Sequence, residues 1–275
     1  MVVQHNLQAA NTNRQLGITT SAQAKSTEKL SSGYKINRAA DDAAGLSISE
    51  KMRSQIRGLN KASSNAQDGV SLVQTAEGAL NETHSILQRM NELATQAANG
   101  TNTSVDRSAI RAELDQLTSE INRIQSTTQF NTMNLLDGTF SGATKQMKLQ
   151  VGALSGQSIN FSIANMCATK IGLNTALSVS TFTKAGSYMK AVQDAIEVVS
   201  KQRSAMGAIQ NRLEHTIANL DTTSENTQSA ESRIRDTDMA SEMVTYSKNN
   251  ILAQAGQSML AQANQSTHGV LSLLQ

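Results

Sequence analysis

Four histidines are the first residues in the chain that could do chemistry, either as metal ligands or as general acids and bases. They are His5, His84, His215 and His268. No two of them have the His-Glu-x-x-His spacing that places two imidazoles on one helix face for zinc. We therefore predict no metal site. We interpret His84, which shares a helix side with Leu80 and Leu87, as a packing or edge residue.

Asp41 and Asp42 form the one carboxylate pair that resembles acid–base machinery. Adjacent residues on a helix point about 100° apart, so the two carboxylates do not converge on one bond. We predict that they form salt bridges or caps, with Arg38, Arg233 or Arg235 as partners. The sequence thus predicts no catalytic residue and no cofactor, and we expect that the protein is not an enzyme.

Cys167 is the only cysteine, which excludes an intramolecular disulfide. An exposed thiol outside a cell is readily oxidised. We therefore expect Cys167 to be buried and inert, or the protein to work where oxygen is scarce.

The composition favours long helices over a large globular core. The 275 residues include no proline or tryptophan and only seven aromatic residues, whereas ligand pockets usually depend on bulky aromatic side chains. A net charge of +2 without basic runs gives no electrostatic footprint for nucleic acid. The first residues lack the basic and apolar regions of a secretory signal peptide, which by itself suggests a cytoplasmic protein.

The last stretch, residues 239–275, is nearly uncharged. Glu242 and Lys248 are its only formally charged side chains. Its apolar residues surround the predicted helix instead of forming one stripe: Met243, Tyr246, Ile251, Leu252, Met259 and Leu260. The many Gln, Asn and Ser residues between 254 and 268 exclude a membrane span. We infer an interaction helix that becomes buried when the protein assembles.

The rest of the chain alternates between helices and short connectors. Residues 1–31 favour a helix with weak apolar spacing, and residues 34–45 predict a connector. A long helix is predicted from Leu46 to Ala98, with two adjacent apolar stripes. Thr103 and Asp106 predict the capping box of a further helix, whose apolar residues have heptad spacing: Ile110, Leu114, Leu117, Ile121 and Ile124.

The pattern changes after residue 129. Residues 147–151 and 159–163 alternate between apolar and polar and enclose two glycines, which predicts a β-hairpin. Residues 165–187 predict irregular structure, and helical spacing returns from Tyr188 to Leu220. The predicted fold is mainly α, with long antiparallel helices in a coiled-coil-like bundle, a small β-hairpin and paired terminal helices. We expect Leu114, Leu117, Ile121, Leu213 and Ile217 in the intramolecular core.

Five long segments at the two ends of the chain resemble bacterial flagellin. They are Glu28–Leu59, Gln67–Leu80, Gly207–Leu220, Ala230–Met243 and Ile251–Gln265, in the same order as in the family. The resemblance implies a short flagellin without the variable outer domains. In such a protein residues 1–45 and 238–275 would form an inner tube, and residues 46–237, with the hairpin near 147–163, would form an outer tube.

The resemblance also implies partners and a location. The protein would polymerise with itself into the extracellular flagellar filament for motility. It would leave the cell through the flagellar type III export channel without a cleaved signal, and it would meet an export chaperone, the filament cap and hook-junction proteins. The resemblance implies neither nucleic-acid binding nor membrane insertion. The residues expected to mediate assembly are Leu7, Leu16, Leu30, Ile251, Leu252, Met259, Leu260, Val270 and Leu271.

A second implied partner is host Toll-like receptor 5. In flagellins that activate this receptor, an arginine, a leucine and a glutamate form the receptor patch, and they correspond here to Arg89, Leu93 and Glu113. Asn91 stands where that family pattern has a second arginine. The alternative is that this surface has a packing role and contacts neighbouring subunits.

Three other functions remain as alternatives at this stage. A hook–filament junction protein would share flagellin-like ends, but would resemble flagellin less between residues 207 and 265. A flagellin with an embedded peptidase would need an inserted zinc motif and would lose activity with a chelator. A cytosolic coiled-coil adaptor would be found inside cells and be absent from sheared surface fractions.

Overall fold

The computed structural model describes residues 6–142, 145–173 and 178–272, with side chains as far as residue 266 at the C-terminal end. Within these residues it contains five helices and four short strands. In chain order they are α1 Leu7–Ser32, α2 Ala43–Ala97, α3 Ser104–Thr127, β1 Gln129–Phe130, β2 Met133–Asn134, β3 Met147–Gln150, β4 Ser158–Phe161, α4 Phe182–Arg235 and α5 Met239–Ser272. The predicted fold class is confirmed.

The chain divides into two compact units. Residues 1–55 and 226–275 form the terminal unit, and residues 56–225 form the central unit. Both divisions fall inside long helices, since α2 and α4 each contribute to both units. The assignment of residues to an inner and an outer tube concerns a filament and stays a prediction.

The core of the central unit is built from α2, α3, α4 and the strands between α3 and α4. Leu114, Ile121 and Leu213 are almost fully buried, as predicted from the heptad spacing. Leu117 and Ile217 are half-buried and pack against the edge of the apolar clusters. The heptad pattern therefore identified the packed face of these helices, of which Leu117 and Ile217 form the less buried edge.

The turn between α2 and α3 is fastened at both ends. The predicted capping box is present: the Thr103 hydroxyl accepts the Asp106 N–H, and the Asp106 carboxylate accepts the Thr103 N–H at 2.8 Å. Arg107 adds a bond that the sequence did not reveal, because its Nε donates to the Ala97 carbonyl at 3.1 Å. A carbonyl of the last turn of α2, which has no partner within the helix, is thereby satisfied at a buried residue.

The predicted β-hairpin forms from β3 and β4, with Met147 opposite Phe161 in an antiparallel register. It packs on α2 where glycines allow a close approach. A Cβ on Gly58 would lie 2.8 Å from the Ala153 Cβ, and one on Gly69 would overlap the Leu149 side chain. Gly58 is therefore required by packing between helix and hairpin, whereas the atom that a Cβ on Gly69 would meet is the end of the flexible Leu149 side chain, which can move aside.

Two local features differ from the predictions. Helix α4 begins at Phe182, six residues before the predicted start, because Thr181 accepts the backbone N–H groups of Lys184 and Ala185. A second hairpin, β1–β2, was missed, since its turn uses Asn131 and Thr132 at positive φ without a glycine. Part of the stretch predicted as irregular, residues 174–177, lies outside the described residues.

Leu114→Ala tests the core of the central unit. Its side chain is 2% exposed, so truncation should lower the free energy of unfolding by about 2–5 kcal/mol. Urea unfolding of the full-length monomer, followed by circular dichroism at the helical band, measures the loss. Leu154→Ala, at an exposed residue of the hairpin turn, is the control and should change stability by less than about 0.5 kcal/mol. Equal losses would contradict the assigned core.

Candidate interaction surfaces

Helices α1 and α5 of the terminal unit pair antiparallel along a narrow seam. The Asn6 side-chain amide donates to the Ala263 carbonyl at 3.0 Å near one end, and Lys29 lies 3.8 Å from Glu242 near the other. Apart from Asn250, the half-buried and buried residues among the described side chains of α5 recur at alternating spacings of three and four, which is a heptad pattern. They are Glu242, Tyr246, Asn249, Ala253, Gly256, Leu260 and Ala263.

This seam is made mainly of small or polar side chains. Ala253 and Ala263 are its most buried members on α5, and a Cβ on Gly256 would lie 3.3 Å from the Leu16 Cδ1. The half-buried or buried residues of α1 opposite them include Ala9, Thr12, Leu16, Thr19 and Ser26. Such residues let the two helices approach closely, but they bury little apolar area.

Most of the large apolar side chains described on the two helices lie outside the seam and are exposed. Ile251 is 66% exposed and Val244 is 71% exposed. The full set is Leu7 and Ile18 on α1, with Met239, Met243, Val244, Ile251, Leu252 and Met259 on α5. Neighbouring residues such as Ile251 and Leu252 point about 100° apart, so the apolar surface covers more than one side of α5. We name this set the outer apolar surface.

The structure divides the predicted assembly residues into three groups. Leu7, Ile251, Leu252 and Met259 belong to the outer apolar surface. Leu16, Leu30 and Leu260 are half-buried beside or within the seam. The side chains of Val270 and Leu271 lie outside the described residues.

The assembly prediction also missed exposed residues. Ile18, Met239, Met243 and Val244 belong to the outer apolar surface but were not among the predicted assembly residues. Ile18, Met243 and Val244 occupy positions outside the seam, so assigning the seam residues first would have identified these three.

In the terminal unit, backbone hydrogen bonds join the connector between α1 and α2 (residues 33–42) to the end of α4 and the connector that follows it (residues 235–238). The Lys35 N–H donates to the Arg235 carbonyl at 2.6 Å, and the Thr237 N–H donates to the Gly33 carbonyl at 3.0 Å. The Arg235 guanidinium lies 4.6 Å from the Tyr34 ring centroid and donates to Glu50 at 3.0 Å. We name this arrangement the clasp. Its hydrogen bond from Arg235 lowers the pKa of Glu50.

Asp41 and Asp42 form a salt bridge and a cap, as predicted. Asp42 accepts the Gly45 N–H at 2.9 Å, which caps the start of α2. Asp41 lies 3.1 Å from Lys25, whose hydrogen bond lowers the Asp41 pKa, and it accepts the Arg38 backbone N–H at 3.0 Å. Arg38 is thus a partner as predicted, through its backbone, while its guanidinium pairs with Glu28. The other two predicted partners were wrong, because Arg235 pairs with Glu50 and Arg233 bonds Ser229.

A surface cluster on the central unit joins α2 to α3. Arg89 Nη2 lies 3.1 Å from Glu113 Oε1, and Arg89 Nη1 lies 3.1 Å from Glu92 Oε2. These hydrogen bonds raise the pKa of Arg89. Leu93 is only 2% exposed and belongs to the core below the cluster. Arg89 and Glu113 are therefore brought together at the surface. Leu93 is buried, so it can pack below the pair but is not itself accessible to a partner.

The residues with possible catalytic or redox chemistry are dispersed. His84 is half-buried, and its Nε2 lies 3.1 Å from the Gln88 amide nitrogen. Cys167 is half-buried, so the expected burial was wrong, while the alternative of an oxygen-poor habitat stays a prediction. Its Sγ lies 3.2 Å from the Thr169 hydroxyl. Among the described residues, no three His, Cys, Asp or Glu side chains come together as a metal site. No described helix is long and apolar enough to cross a membrane.

Paired terminal helices with an apolar surface left over are typical of a subunit that assembles with further copies. Two family models match the chain: the bacterial flagellin N-terminal helical region over residues 3–141, and the C-terminal helical region over residues 189–274. A flagellin of Halalkalibacterium halodurans is 55% identical, and one of Bacillus subtilis is 50% identical, both over the full length of both chains. The chain belongs to the bacterial flagellins, which are structural filament subunits and not enzymes.

Other relatives and solved structures agree with this family. The flagellar filament 31.3 kDa core protein of Treponema maltophilum is 50% identical over the full length of both chains. The crystal structure of Bacillus cereus flagellin is 32% identical, with a TM-score of 0.51, and covers 57% of this chain and 88% of that one. A putative flagellar hook-associated protein from Vibrio parahaemolyticus shares the fold, with a TM-score of 0.60 at 15% identity over 71% of this chain and all of that one.

The clasp predicts a pH dependence of stability. The pKa of Glu50 in the folded chain lies below its ordinary value of 4.5, so its stabilising effect is complete above that value and is lost as the pH falls through the lowered pKa. Glu50→Gln should therefore lower the thermal midpoint relative to the wild type at pH 7, and the difference should shrink as the pH falls through the lowered pKa of Glu50. Thermal unfolding followed by circular dichroism measures both midpoints.

Glu197→Gln, at an exposed glutamate of α4, is the control for this pH dependence. It should have the wild-type midpoint at every pH at which the Glu50→Gln difference is measured. A Glu50→Gln deficit that stays constant from pH 7 to the most acidic pH at which the wild type is folded would show that the ionised carboxylate is not what stabilises the clasp.

Proposed function

We propose that the outer apolar surface of α1 and α5 drives polymerisation of this chain into an extracellular flagellar filament that serves motility. The observation that carries the proposal is the exposure of eight large apolar side chains on two helices whose mutual seam is already filled by other residues. A monomer gains nothing by exposing them to water. Copies of the same chain are the partners that the family implies.

The energy available is of the right size for assembly. Burying a large apolar side chain contributes about 1.5–3 kcal/mol, so the outer apolar surface supplies on the order of 10 kcal/mol of gross stabilisation. Part of this gain is offset by the lost freedom of the free subunit. In this proposal residues 1–45 and 238–275 form the inner tube of the filament, and residues 46–237 form its outer tube.

The same surface explains why the free subunit would need partners before it assembles. Exposed apolar helices aggregate, so an export chaperone would cover them inside the cell, and the filament cap would guide them into place outside. Passage through the type III export channel requires an unfolded chain, and a chain with one cysteine carries no internal cross-link. Hook-junction proteins would supply the first surface onto which the outer apolar surface of a subunit packs when the filament begins to grow.

The hook–filament junction alternative is less well supported. The chain matches flagellins at 50–55% identity from end to end, including residues 207–265, where a junction protein would diverge. The hook-associated structure shares the fold alone. We therefore propose the filament subunit as the function.

Ile251→Asp tests the assembly proposal. The substitution removes an exposed apolar side chain and places a charge on the outer apolar surface, so filaments should not form at concentrations at which the wild type polymerises. The central unit should unfold at the wild-type temperature, because Ile251 lies in the terminal unit. Electron microscopy after seeding and thermal unfolding measure the two results.

Gln254→Glu is the matched control, because it adds the same charge to an exposed residue of α5 without removing apolar surface. It should still polymerise. Equal loss of filaments in both variants would mean that charge, and not the burial of apolar area, governs assembly. Removal of residues 251–275 should abolish filaments and leave the central unit folded; normal filaments from that truncation would refute the role of α5.

We also propose that the free subunit is recognised by Toll-like receptor 5 through Arg89 and Glu113. The pair supports this proposal because it presents a cation and an anion from two helices at one exposed position, held by a hydrogen bond of 3.1 Å. Leu93 contributes in this proposal by packing below the pair. Surface ion pairs contribute little to folding stability, so the pair's role can be separated from folding.

Arg89→Ala should weaken binding of the monomer to the receptor ectodomain on the order of tenfold, with little change in the thermal midpoint. Arg123→Ala is the control, because Arg123 forms an equivalent exposed pair with Glu120 further along α3. Surface plasmon resonance measures both affinities. Unchanged affinity for Arg89→Ala, or equal losses in the two variants, would refute the proposed patch.

A further inference from the structure

Three methionines of α5 are about half exposed in the outer apolar surface. The exposed fractions are 47% for Met239, 50% for Met243 and 56% for Met259. The central unit contains methionines of the opposite kind, since Met90 and Met206 are at most 1% exposed. One chain thus contains solvent-accessible thioethers at the surface proposed for assembly and protected thioethers in its core.

An exposed thioether can be oxidised by a small oxidant such as hydrogen peroxide. When a sulfur lone pair attacks hydrogen peroxide, an S–O bond forms and the O–O bond breaks. The sulfur is oxidised by two electrons, and the peroxide is reduced to water. The product is methionine sulfoxide, a polar side chain with a strong hydrogen-bond acceptor in place of an apolar one.

We propose that Met239, Met243 and Met259 are sulfoxidation sites that switch the free subunit between assembly-competent and assembly-incompetent forms. The proposal rests on the proposed function, because it requires α5 to be buried against other copies in the filament. Each sulfoxide would have to be desolvated on burial without a designed partner, which opposes assembly. Reduction by the methionine sulfoxide reductase class of enzymes restores the thioether and the surface.

The exposure of these three sulfurs makes their oxidation specific to the free subunit. In the free subunit the three sulfurs are open to a small oxidant, whereas in the filament they would be covered by neighbouring copies. A polymerised chain is therefore protected at the residues that control polymerisation. The oxidised form accumulates only among subunits that have not yet assembled.

The test treats purified full-length monomer with hydrogen peroxide and then seeds polymerisation. Treated wild type should form no filaments, and methionine sulfoxide reductase with a reductant should restore them. The variant Met239→Leu, Met243→Leu, Met259→Leu keeps apolar side chains of similar volume, so it should polymerise with or without treatment. Met133 lies in the central unit, is 37% exposed and remains oxidisable in that variant, which controls for oxidation elsewhere.

Peptide mass spectrometry supplies a measurement that does not depend on the variant's own assembly. The rate of sulfoxide formation at Met243 and Met259 should fall about tenfold or more when monomers are polymerised before treatment. Met90 and Met206 should stay reduced in both forms.

The possible failures are distinct. Treated wild type that polymerises as well as untreated protein would overturn the switch, and so would a leucine variant that loses assembly on treatment as the wild type does. Equal oxidation rates in monomer and filament would refute the protection. Untreated wild type that never polymerises would overturn the proposed function itself, and the switch with it.

Discussion

The interaction on which the terminal unit depends is the close contact between α1 and α5 along small side chains. Ala253, Gly256 and Ala263 allow the helices to approach, and they use almost none of the apolar area that the two helices possess. A pair held in this way has no internal place for Ile251 or Val244. The small seam and the exposed large residues are therefore two consequences of the same sequence arrangement.

The central unit differs from the terminal unit because it buries its large apolar residues within one chain. Its long helices carry large residues at their seam positions, such as Leu87, Leu114 and Leu213, and these fill a core inside one chain. Glycines at 58 and 69 let the β-hairpin close over α2. The central unit can thus be stable in a single chain, whereas the terminal unit leaves apolar surface for others. This division suits a subunit that must be soluble as a monomer and insoluble as a polymer.

Periodicity alone was enough to predict the long helices and the larger hairpin of the central unit. The 4-3 spacing from Ile110 to Ile124 and the alternation on either side of residue 155 both led to the observed elements, because each is a local pattern of large apolar residues. The seam between α1 and α5 escaped this reasoning, since alanine, glycine and threonine give little apolar signal. The clasp could not be predicted either: Arg235 and Glu50 are far apart in sequence, and either charge could have paired elsewhere. Leu93, which the resemblance assigns to the receptor patch, lies in the core, and a pattern match to a family does not reveal such burial.

The most direct test of this account is the structure of the polymer determined by electron cryomicroscopy at side-chain resolution. The account predicts that Val244, Ile251 and Met259 of each subunit lose nearly all of their solvent exposure to α1 and α5 of neighbouring copies, while Ala253 and Gly256 keep their contacts within the chain. A filament in which those three side chains remain exposed, with the central unit supplying all contacts between subunits, would contradict it.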